Sequence, residues 1–228
     1  MNPVKPGETP RTPWIVGVSG ASGTPYAAAV LRALLAAGES VDLVVSRASR
    51  LTLLDETGIS FRDAHWRDDL RAWLARGADG KPDTFSVELD AVRHWSAGDL
   101  AAGPSSGSYP TKGMLIVPAS TASVAGVALG LSKDLLQRAA SVTLKEGRKL
   151  VVAVRETPLN GQTLRHLVTL DDAGATVVPA SPAFYAGATH IQDLVDFVAG
   201  RVLDAAGVPH TLYRRWQGEL GGGAHRSG

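Results

Sequence analysis

Apolar residues along the chain alternate between short unbroken runs and longer stretches with helical spacing. The run Trp14–Val18 leads into a turn of glycines and serines, and an Ala/Leu-rich stretch with helical spacing follows from residue 25 to about residue 37. Strand, helix, strand units of this length require parallel pairing with a right-handed crossover. The pattern therefore predicts an α/β domain with a mostly parallel sheet. Further buried strands are predicted over residues 40–46, 113–118, 150–154 and 175–178.

Helical spacing recurs in other parts of the chain, but the alternation weakens between residues 58 and 109. A short helix is predicted over residues 47–56 and a last helix over residues 191–206. Within the weaker region, residues 65–74 carry apolar side chains on one helical face, and residues 84–89 are predicted as a short strand. His65 and His94 have no carboxylate or histidine at metal-ligand spacing, so both are interpreted as solvent-facing or core residues.

Composition narrows the class of protein. With 228 residues, 44% of them hydrophobic, the chain is long enough to bury a core, and we assign one domain to residues 14–217. A net charge of +1 without a basic stripe gives no support to a nucleic-acid or membrane partner. The absence of cysteine excludes disulfides, thiolate catalysis and zinc-thiolate sites. Residues 1–13 and 218–228 are predicted to be a disordered leader and tail, and a cytoplasmic location is expected in the absence of a signal-peptide pattern.

The first strand-to-helix turn, residues 19–24, is the first candidate binding site. Its small residues let the backbone approach a ligand, and the amides and positive dipole end of the next helix favour a phosphate. The Gly20 to Gly23 spacing is Gly-x-x-Gly and not the Gly-x-Gly-x-x-Gly of dinucleotide folds, which favours a mononucleotide over NAD. A purely structural tight turn is equally compatible with this pattern.

Hydroxyl groups follow several of the other predicted strands. Ser46 ends the second strand, where it either binds a ligand or only caps the following helix. A Gly/Ser loop occupies residues 103–109, and the strand after it ends in Ala119-Ser120-Thr121-Ala122-Ser123. Because the carboxyl ends of parallel strands converge on one crevice, these groups together predict a site for a phosphate-bearing ligand.

Charged residues dominate the candidate chemistry in the second half of the chain. Arg138 and Lys145 are two helical turns apart and share one helical face. Arg155 and Glu156 follow the strand over residues 150–154, where arginine can bind phosphate and glutamate can move a proton. An ion pair that caps the sheet is the alternative. Tyr185 is a further phosphate-competent group downstream.

Seven short segments occur in order along the chain: VSGASG (18–23), SSGS (105–108), RAA (138–140), LKE (144–146), RETPL (155–159), PAFY (182–185) and RW (215–216). Together they resemble the motifs of the UbiX/Pad1 flavin prenyltransferases, in the order of that family. The resemblance implies a flavodoxin-like, Rossmann-type three-layer sandwich that assembles as a dodecamer with the active site between subunits. It also implies transfer of a dimethylallyl group from dimethylallyl monophosphate to reduced FMN, at N5 and C6, to make the prenylated FMN that UbiD-type decarboxylases require.

The same resemblance implies roles for individual residues. Glu156 would handle the proton lost on ring closure, assisted by Ser22, with Glu56 reaching the site from a neighbouring subunit. Arginine and lysine would neutralise the departing phosphate, so no metal is expected. The FMN phosphate and ring are expected against Gly20, Ala21, Ser22, Ser46, Ser120, Thr121, Ala122, Ser123 and Arg155, and the prenyl phosphate against Arg138, Lys145, Tyr185 and Arg201 from more than one chain.

Two departures from the family motifs occur, Ser141 and Gly147, and neither position is assigned to a ligand. Two other functions remain open. The FMN-dependent cysteine decarboxylases share the fold, but they carry a catalytic histidine and a Pro-x-Met-Asn motif, whereas the only methionines here are Met1 and Met114. A non-catalytic FMN carrier is the second alternative, and it would not require the charged groups of the second half together.

Overall fold

The computed structural model describes residues 11–81, 88–216 and 218, and its centre is a six-stranded sheet in which every pairing is parallel. The order is β3-β2-β1-β4-β5-β6, which is the doubly wound Rossmann order; without β3, the remaining five strands have the flavodoxin-like order. The predicted parallel α/β fold is therefore confirmed. The strands are β1 (Trp14–Val18), β2 (Val41–Val45), β3 (Val92–Ser96), β4 (Gly113–Ala119), β5 (Lys149–Val154) and β6 (Thr176–Pro179).

Helices cover both faces of the sheet because the side chains of each strand alternate between two cores. Val16 and Leu115 belong to the core that also contains residues of α1, α3 and α7, whereas Ile15 and Met114 belong to the core shared with α4, α5 and α6. The result is a three-layer sandwich. The helices are α1 (Thr24–Ala36), α2 (Arg47–Thr57), α3 (Trp66–Leu74), α4 (Thr121–Ala128), α5 (Leu135–Lys145), α6 (Gly161–Asp172) and α7 (Ile191–Ala206).

The region of weak alternation contains a strand that the sequence pattern did not predict. In β3 only Val92 is buried, because the strand lies at the edge of the sheet and carries Arg93 and His94 in its middle. The predicted strand over residues 84–89 falls mostly outside the described residues. Nowhere in the described ranges does a helix have the length and apolarity needed to cross a membrane.

A buried ion pair ties the end of the predicted leader to the sheet. The carboxylate of Asp42 on β2 is fully buried. It accepts hydrogen bonds from Arg11 Nη1 at 2.5 Å and from the Tyr109 hydroxyl at 2.8 Å. Arg11 Nη2 also donates to the carbonyl oxygen of Val41 at 2.7 Å. Residue 11 is thus in contact with the sheet, and residues 1–10 lie outside the described residues.

We expect Arg11→Ala to destabilise the fold by about 2 kcal/mol, because among the described residues it leaves the buried Asp42 charge with only the Tyr109 hydroxyl as a side-chain partner. Urea unfolding monitored by circular dichroism measures the change. The matched control is Arg67→Ala, which removes an exposed arginine 3.7 Å from the exposed Asp90 and should cost under about 1 kcal/mol. Equal effects of the two substitutions would contradict a structural role for Arg11.

Candidate functional site

Four strand ends lie side by side at the carboxyl edge of the sheet. Backbone pairing continues there beyond the strands: Ser46 N donates to Val18 O at 2.9 Å, and Ser19 N donates to Pro118 O at 3.2 Å. On the other side of β4, Arg155 N donates to Ala119 O at 3.2 Å. Since neighbouring strands are about 4.8 Å apart, the residues that follow β2, β1, β4 and β5 form one continuous row. The sequence-predicted convergence of these residues is observed.

Ser19 joins the two central strands, and the sequence analysis did not single it out. Its buried hydroxyl donates to Pro118 O at 2.9 Å and accepts from Ser120 N at 2.7 Å. This contact lies between β1 and β4, the point from which the strand order runs in both directions. In doubly wound sheets the ligand crevice forms at that point. Its position at the end of β1 was the only available signal in the sequence.

The turn after β1 is shaped by two of its glycines. A Cβ on Gly20 would lie 2.5 Å from Ala48 Cβ, so only glycine lets the turn pack against the first turn of α2. Gly23 has a φ of 115°, and a Cβ there would lie 2.7 Å from the Tyr26 ring. Ala21 is buried and Ser22 is exposed. The turn therefore brings its backbone close to the α2 N-terminus.

Glu56 occupies the N-terminus of α1. Its carboxylate accepts hydrogen bonds from Gly23 N at 2.9 Å and from Thr24 N at 2.8 Å, and the Thr24 hydroxyl donates to it at 2.6 Å. Burial alone would raise the pKa of Glu56, but hydrogen bonds from Thr24, Ser22 and the two backbone amides hold the pKa below its ordinary value. The carboxylate is therefore ionised at neutral pH.

This contact bears on two expectations from the sequence. A phosphate was expected at the N-terminus of α1, but the Gly23 and Thr24 amides donate to Glu56, and Pro25 has no amide hydrogen to offer. Glu56 was expected to approach from a neighbouring subunit, but it reaches the turn of its own chain from the last turn of α2. Gly23 and Glu56 are 33 residues apart in the sequence, so no local pattern could predict this contact.

We expect Glu56→Gln to lower stability by about 0.5 to 1 kcal/mol at neutral pH, because it removes a negative charge at a helix N-terminus. The folded-state pKa of Glu56 is lowered, so its contribution is complete above the unfolded-state pKa and is lost as the pH falls through the folded-state value. The stability gap between the wild type and the variant should therefore narrow below about pH 4.5. Urea unfolding at pH 7 and at pH 3.5 measures it, and a gap that widens in acid would contradict the assignment.

The N-termini of α2 and α4 lie on either side of the β1 turn. The Ser46 hydroxyl accepts from Ser49 N at 3.1 Å, and the Ser120 hydroxyl accepts from Ser123 N at 3.3 Å. Both serines therefore cap helices. For Ser46, capping is one of the two roles that the sequence analysis left open. The caps leave the first amides of each helix at the crevice. At α4 these amides belong to Thr121 and to the exposed Ala122.

Arg155 and Glu156 follow β5, next in the row. Arg155 Nε is buried and has no hydrogen-bond partner among the residues that the structure describes. Glu156 is exposed, and its Oε1 accepts from Thr157 N at 3.0 Å. Among the described residues, no ion pair involves Glu156, so the two side chains do not form the sheet-capping ion pair that was the alternative interpretation. A buried donor without an acceptor, followed in the chain by a carboxylate that forms no ion pair, is the arrangement of an incomplete site.

Tyr26 is a second residue that the sequence analysis missed. It is partly buried on the first turn of α1, with its ring against Gly23. Burial raises the pKa of Tyr26, the charge of Arg155 lowers it, and the charge of Glu56 raises it, with a net increase. The phenol therefore lies within electrostatic range of both charged groups and links the α1 turn to the end of β5.

Arg138 and Lys145 lie on one face of α5, as predicted, and that face contacts the Gly/Ser loop of residues 103–109. Arg138 Nε donates to Ser105 O at 3.0 Å, and Lys145 forms an ion pair with Glu146 next to Gly107. The two residues lie at different positions along the axis of α5. α5 begins at the carboxyl edge, where Leu135 N donates to Ala97 O, and it ends at Lys145 shortly before β5 begins.

Tyr185 and Arg201 belong to one cluster at the end of the chain. The Tyr185 ring centroid lies 5.8 Å from those of Phe197 and Trp216, both in edge geometry. Arg201 Nη1 donates to Asp204 at 3.0 Å and lies 3.4 Å from the Tyr213 hydroxyl. The resemblance to the family was the only signal that selected Arg201 on α7. The structure connects it with Tyr185 through these rings.

The structure agrees with the interpretation of His65 and His94 as solvent-facing or core residues, since His65 is exposed. His94 as a whole is half-buried but its side chain is covered, and its ring nitrogens contact Leu43 O at 3.2 Å and Asp63 at 2.7 Å. Over the ranges that the structure describes, no group of three or more histidine, aspartate or glutamate side chains is arranged to hold a metal ion.

Solved structures with the same fold include two UbiX-like proteins. One is AnUbiX (PadA1) in complex with FMN and dimethylallyl pyrophosphate, with a TM-score of 0.77, 34% identity, and coverage of 92% of this chain and 99% of the other. The second is a dodecameric FMN-dependent UbiX-like decarboxylase from Escherichia coli O157:H7, with a TM-score of 0.76 and 36% identity. It covers 91% of this chain and 100% of the other.

Sequence relatives agree with the structural ones. The flavoprotein family model matches residues 4–203. The flavin prenyltransferase UbiX of Streptomyces coelicolor is 91% identical over 210 residues, which is 92% of this chain and 97% of the relative. That of Salmonella typhimurium is 40% identical over 208 residues, which is 90% of this chain and 97% of the relative. The resemblance found in the sequence motifs is confirmed, and the chain belongs to the UbiX flavin prenyltransferases of the flavoprotein family.

Proposed function

We propose that this protein transfers a dimethylallyl group from dimethylallyl monophosphate to N5 and C6 of reduced FMN. The observation that carries the proposal is the pair of consecutive residues after β5: among the described residues, the buried Arg155 Nε has no hydrogen-bond partner, and the carboxylate of Glu156 forms no ion pair. A flavin carrier needs the first group but not the second. The high identity to named flavin prenyltransferases supports the same activity.

The crevice between β1 and β4 fits FMN. Glycine at position 20 leaves the backbone of the turn without a side chain, and among the described residues the buried Arg155 Nε lacks an acceptor, which a flavin or its phosphate would supply. Since Glu56 already holds the α1 amides, we assign the FMN phosphate to the N-terminus of α4, at Ser120, Thr121, Ala122 and Ser123, with Ser46 on the opposite wall.

Reduced FMN supplies the nucleophilic nitrogen and the ring carbon that become prenylated. The protein's own groups have three tasks. Arg138, Lys145, Tyr185 and Arg201 bind the donor phosphate and neutralise the charge that grows on it as it leaves. Glu156 accepts the proton lost on ring closure, with the Ser22 hydroxyl assisting. Aromatic and apolar groups such as Tyr185 and Trp216 limit access of water to the allylic cation.

A second copy of the chain completes the proposed site. Lys145 is at the far end of α5 from the carboxyl edge of its own sheet, so we propose that it acts on the crevice of a neighbouring subunit. The dodecameric assembly of the Escherichia coli relative supports a homo-oligomer. We further propose that the prenylated FMN passes to a UbiD-type decarboxylase in the cytoplasm.

The test is anaerobic incubation of the protein with reduced FMN and dimethylallyl monophosphate, followed by mass spectrometry of the released flavin. We expect a flavin that is heavier by one five-carbon unit and whose formation requires the protein. Dimethylallyl diphosphate is assayed in parallel, since the AnUbiX complex contained the pyrophosphate. Unchanged FMN that stays bound to folded protein with either donor would overturn the proposal in favour of a carrier or a decarboxylase.

A further inference from the structure

The carboxylate of Asp204 on α7 accepts hydrogen bonds from four side chains. It accepts from Arg201 Nη1 at 3.0 Å, from the Tyr213 hydroxyl at 2.5 Å, from His210 Nε2 at 3.0 Å and from Arg215 Nη2 at 2.7 Å. A carboxylate offers about four acceptor sites, so Asp204 is saturated. We call these five residues the Asp204 cluster.

The cluster fastens the C-terminal segment to α7. Residues 208–216 follow α7 and return along it, and Gly200 makes this possible, because a Cβ there would lie 2.5 Å from the Tyr213 ring and 2.7 Å from His210. The Tyr213 ring packs on Phe197 with a centroid distance of 4.9 Å. Trp216, at the end of the segment, contacts the Tyr185 ring at 5.8 Å. The position of Tyr185 is therefore coupled to the carboxylate of Asp204.

The charges of the cluster do not cancel. His210 Nδ1 accepts from Leu212 N at 3.2 Å, so the proton of the neutral ring is on Nε2, which donates to Asp204. Two guanidinium groups then share one carboxylate, which leaves a surplus of one positive charge. Burial would raise the pKa of Asp204, but hydrogen bonds from Arg215, Tyr213 and His210 hold it far below its ordinary value, so the carboxylate stays charged.

Arg201 retains free donors in this arrangement. Among the described residues its guanidinium uses only Nη1 in hydrogen bonds, and its side chain is about half exposed. Without Asp204, the neighbouring Arg201 and Arg215 would repel each other and separate. With Asp204 they are held together, and the remaining nitrogens can bind an anion.

We propose that Asp204 is a positioning residue for the prenyl donor, because its carboxylate holds Arg201 beside Arg215 and holds Trp216 against Tyr185. This inference rests on the proposed function, which assigns Arg201 and Tyr185 to the donor phosphate. Asp204 itself does not touch the donor. Its role is to fix the geometry of the groups that do, before the donor arrives.

The test compares Asp204→Asn and Tyr213→Phe with the wild type in the prenyl-transfer assay, with the donor varied at saturating reduced FMN. We expect the KM for dimethylallyl monophosphate to rise about tenfold in Asp204→Asn and about threefold in Tyr213→Phe, with kcat within about twofold. FMN affinity, measured by fluorescence titration, should not change. Tyr213→Phe keeps the ring on Phe197, so it decides the question if Asp204→Asn does not fold. Asp171→Asn, the same change at an exposed position on α6, is the matched control.

Three outcomes overturn the inference while leaving the proposed function intact, provided that the wild type is active. An unchanged KM in both variants removes the positioning role. A lower KM shows that Asp204 competes with the donor phosphate for Arg201. A parallel loss of FMN affinity and donor affinity shows a purely structural effect. A wild type without product from either donor contradicts the proposed function instead.

Discussion

Replacing Glu156 with glutamine is expected to lower the rate of prenyl transfer by about 10²-fold to 10³-fold, the range typical of a lost general base. The side chain is exposed at the carboxyl edge and has no cation beside it among the described residues, so its removal leaves no buried charge without a partner. The fold and the affinity for FMN should therefore be unaffected. Single-turnover kinetics with protein-bound reduced FMN measure the rate of the chemical step.

Glu88→Gln is a suitable control for Glu156→Gln, because it makes the same chemical change at an exposed loop position. Mass spectrometry adds information on the step affected. If Glu156 only takes the final proton, the variant should accumulate a flavin in which the five-carbon unit is attached but the ring is not closed. Full activity of Glu156→Gln would remove the proton-handling role, and loss of FMN binding would show that the carboxylate supports the flavin site instead.

The sequence pattern was sufficient for the parallel sheet but not for its edge. Buried parallel strands such as β1 and β4 read as unbroken apolar runs because both of their faces are covered. β3 has only one neighbouring strand and polar residues in its middle, so no apolar run marks it. The positions of Ser46, Ser120 and Arg155 at one edge could likewise be predicted, because parallel strands must end on the same side.

Contacts that depend on packing between distant elements could not be predicted. The phosphate expected at α1 assumed free amides, whereas Glu56 binds them because α2 packs beside α1. No local pattern shows which side chain will reach a helix N-terminus from 33 residues away. The contacts of Asp204 could not be predicted for the same reason, because in the sequence it is one polar residue of an amphipathic helix. Its importance depends on the return of residues 208–216 along α7.

The position of Lys145 along α5 bears on which subunit's site this residue can serve. α5 starts at the carboxyl edge beside Ala97, and Lys145 is its last residue, ten residues after Leu135. At 1.5 Å per residue this is a distance of about 15 Å along the helix. Lys145 is therefore near the opposite edge of its own sheet. If it binds the donor phosphate, as proposed, the Glu156 of the same site must come from a different subunit.

Co-expression of Lys145→Met with Glu156→Gln should consequently restore activity, although each variant alone is nearly inactive. In a random mixture, about a quarter of the sites combine an intact Glu156 with an intact Lys145 from the neighbouring subunit, so about a quarter of the wild-type activity is expected. Oligomers of the two variants that are purified separately and mixed without subunit exchange are the control and should stay inactive. Mixed oligomers that also stay inactive would mean that both residues serve the site of one chain. A Lys145→Met variant that is active by itself would mean instead that Lys145 has no part in the site.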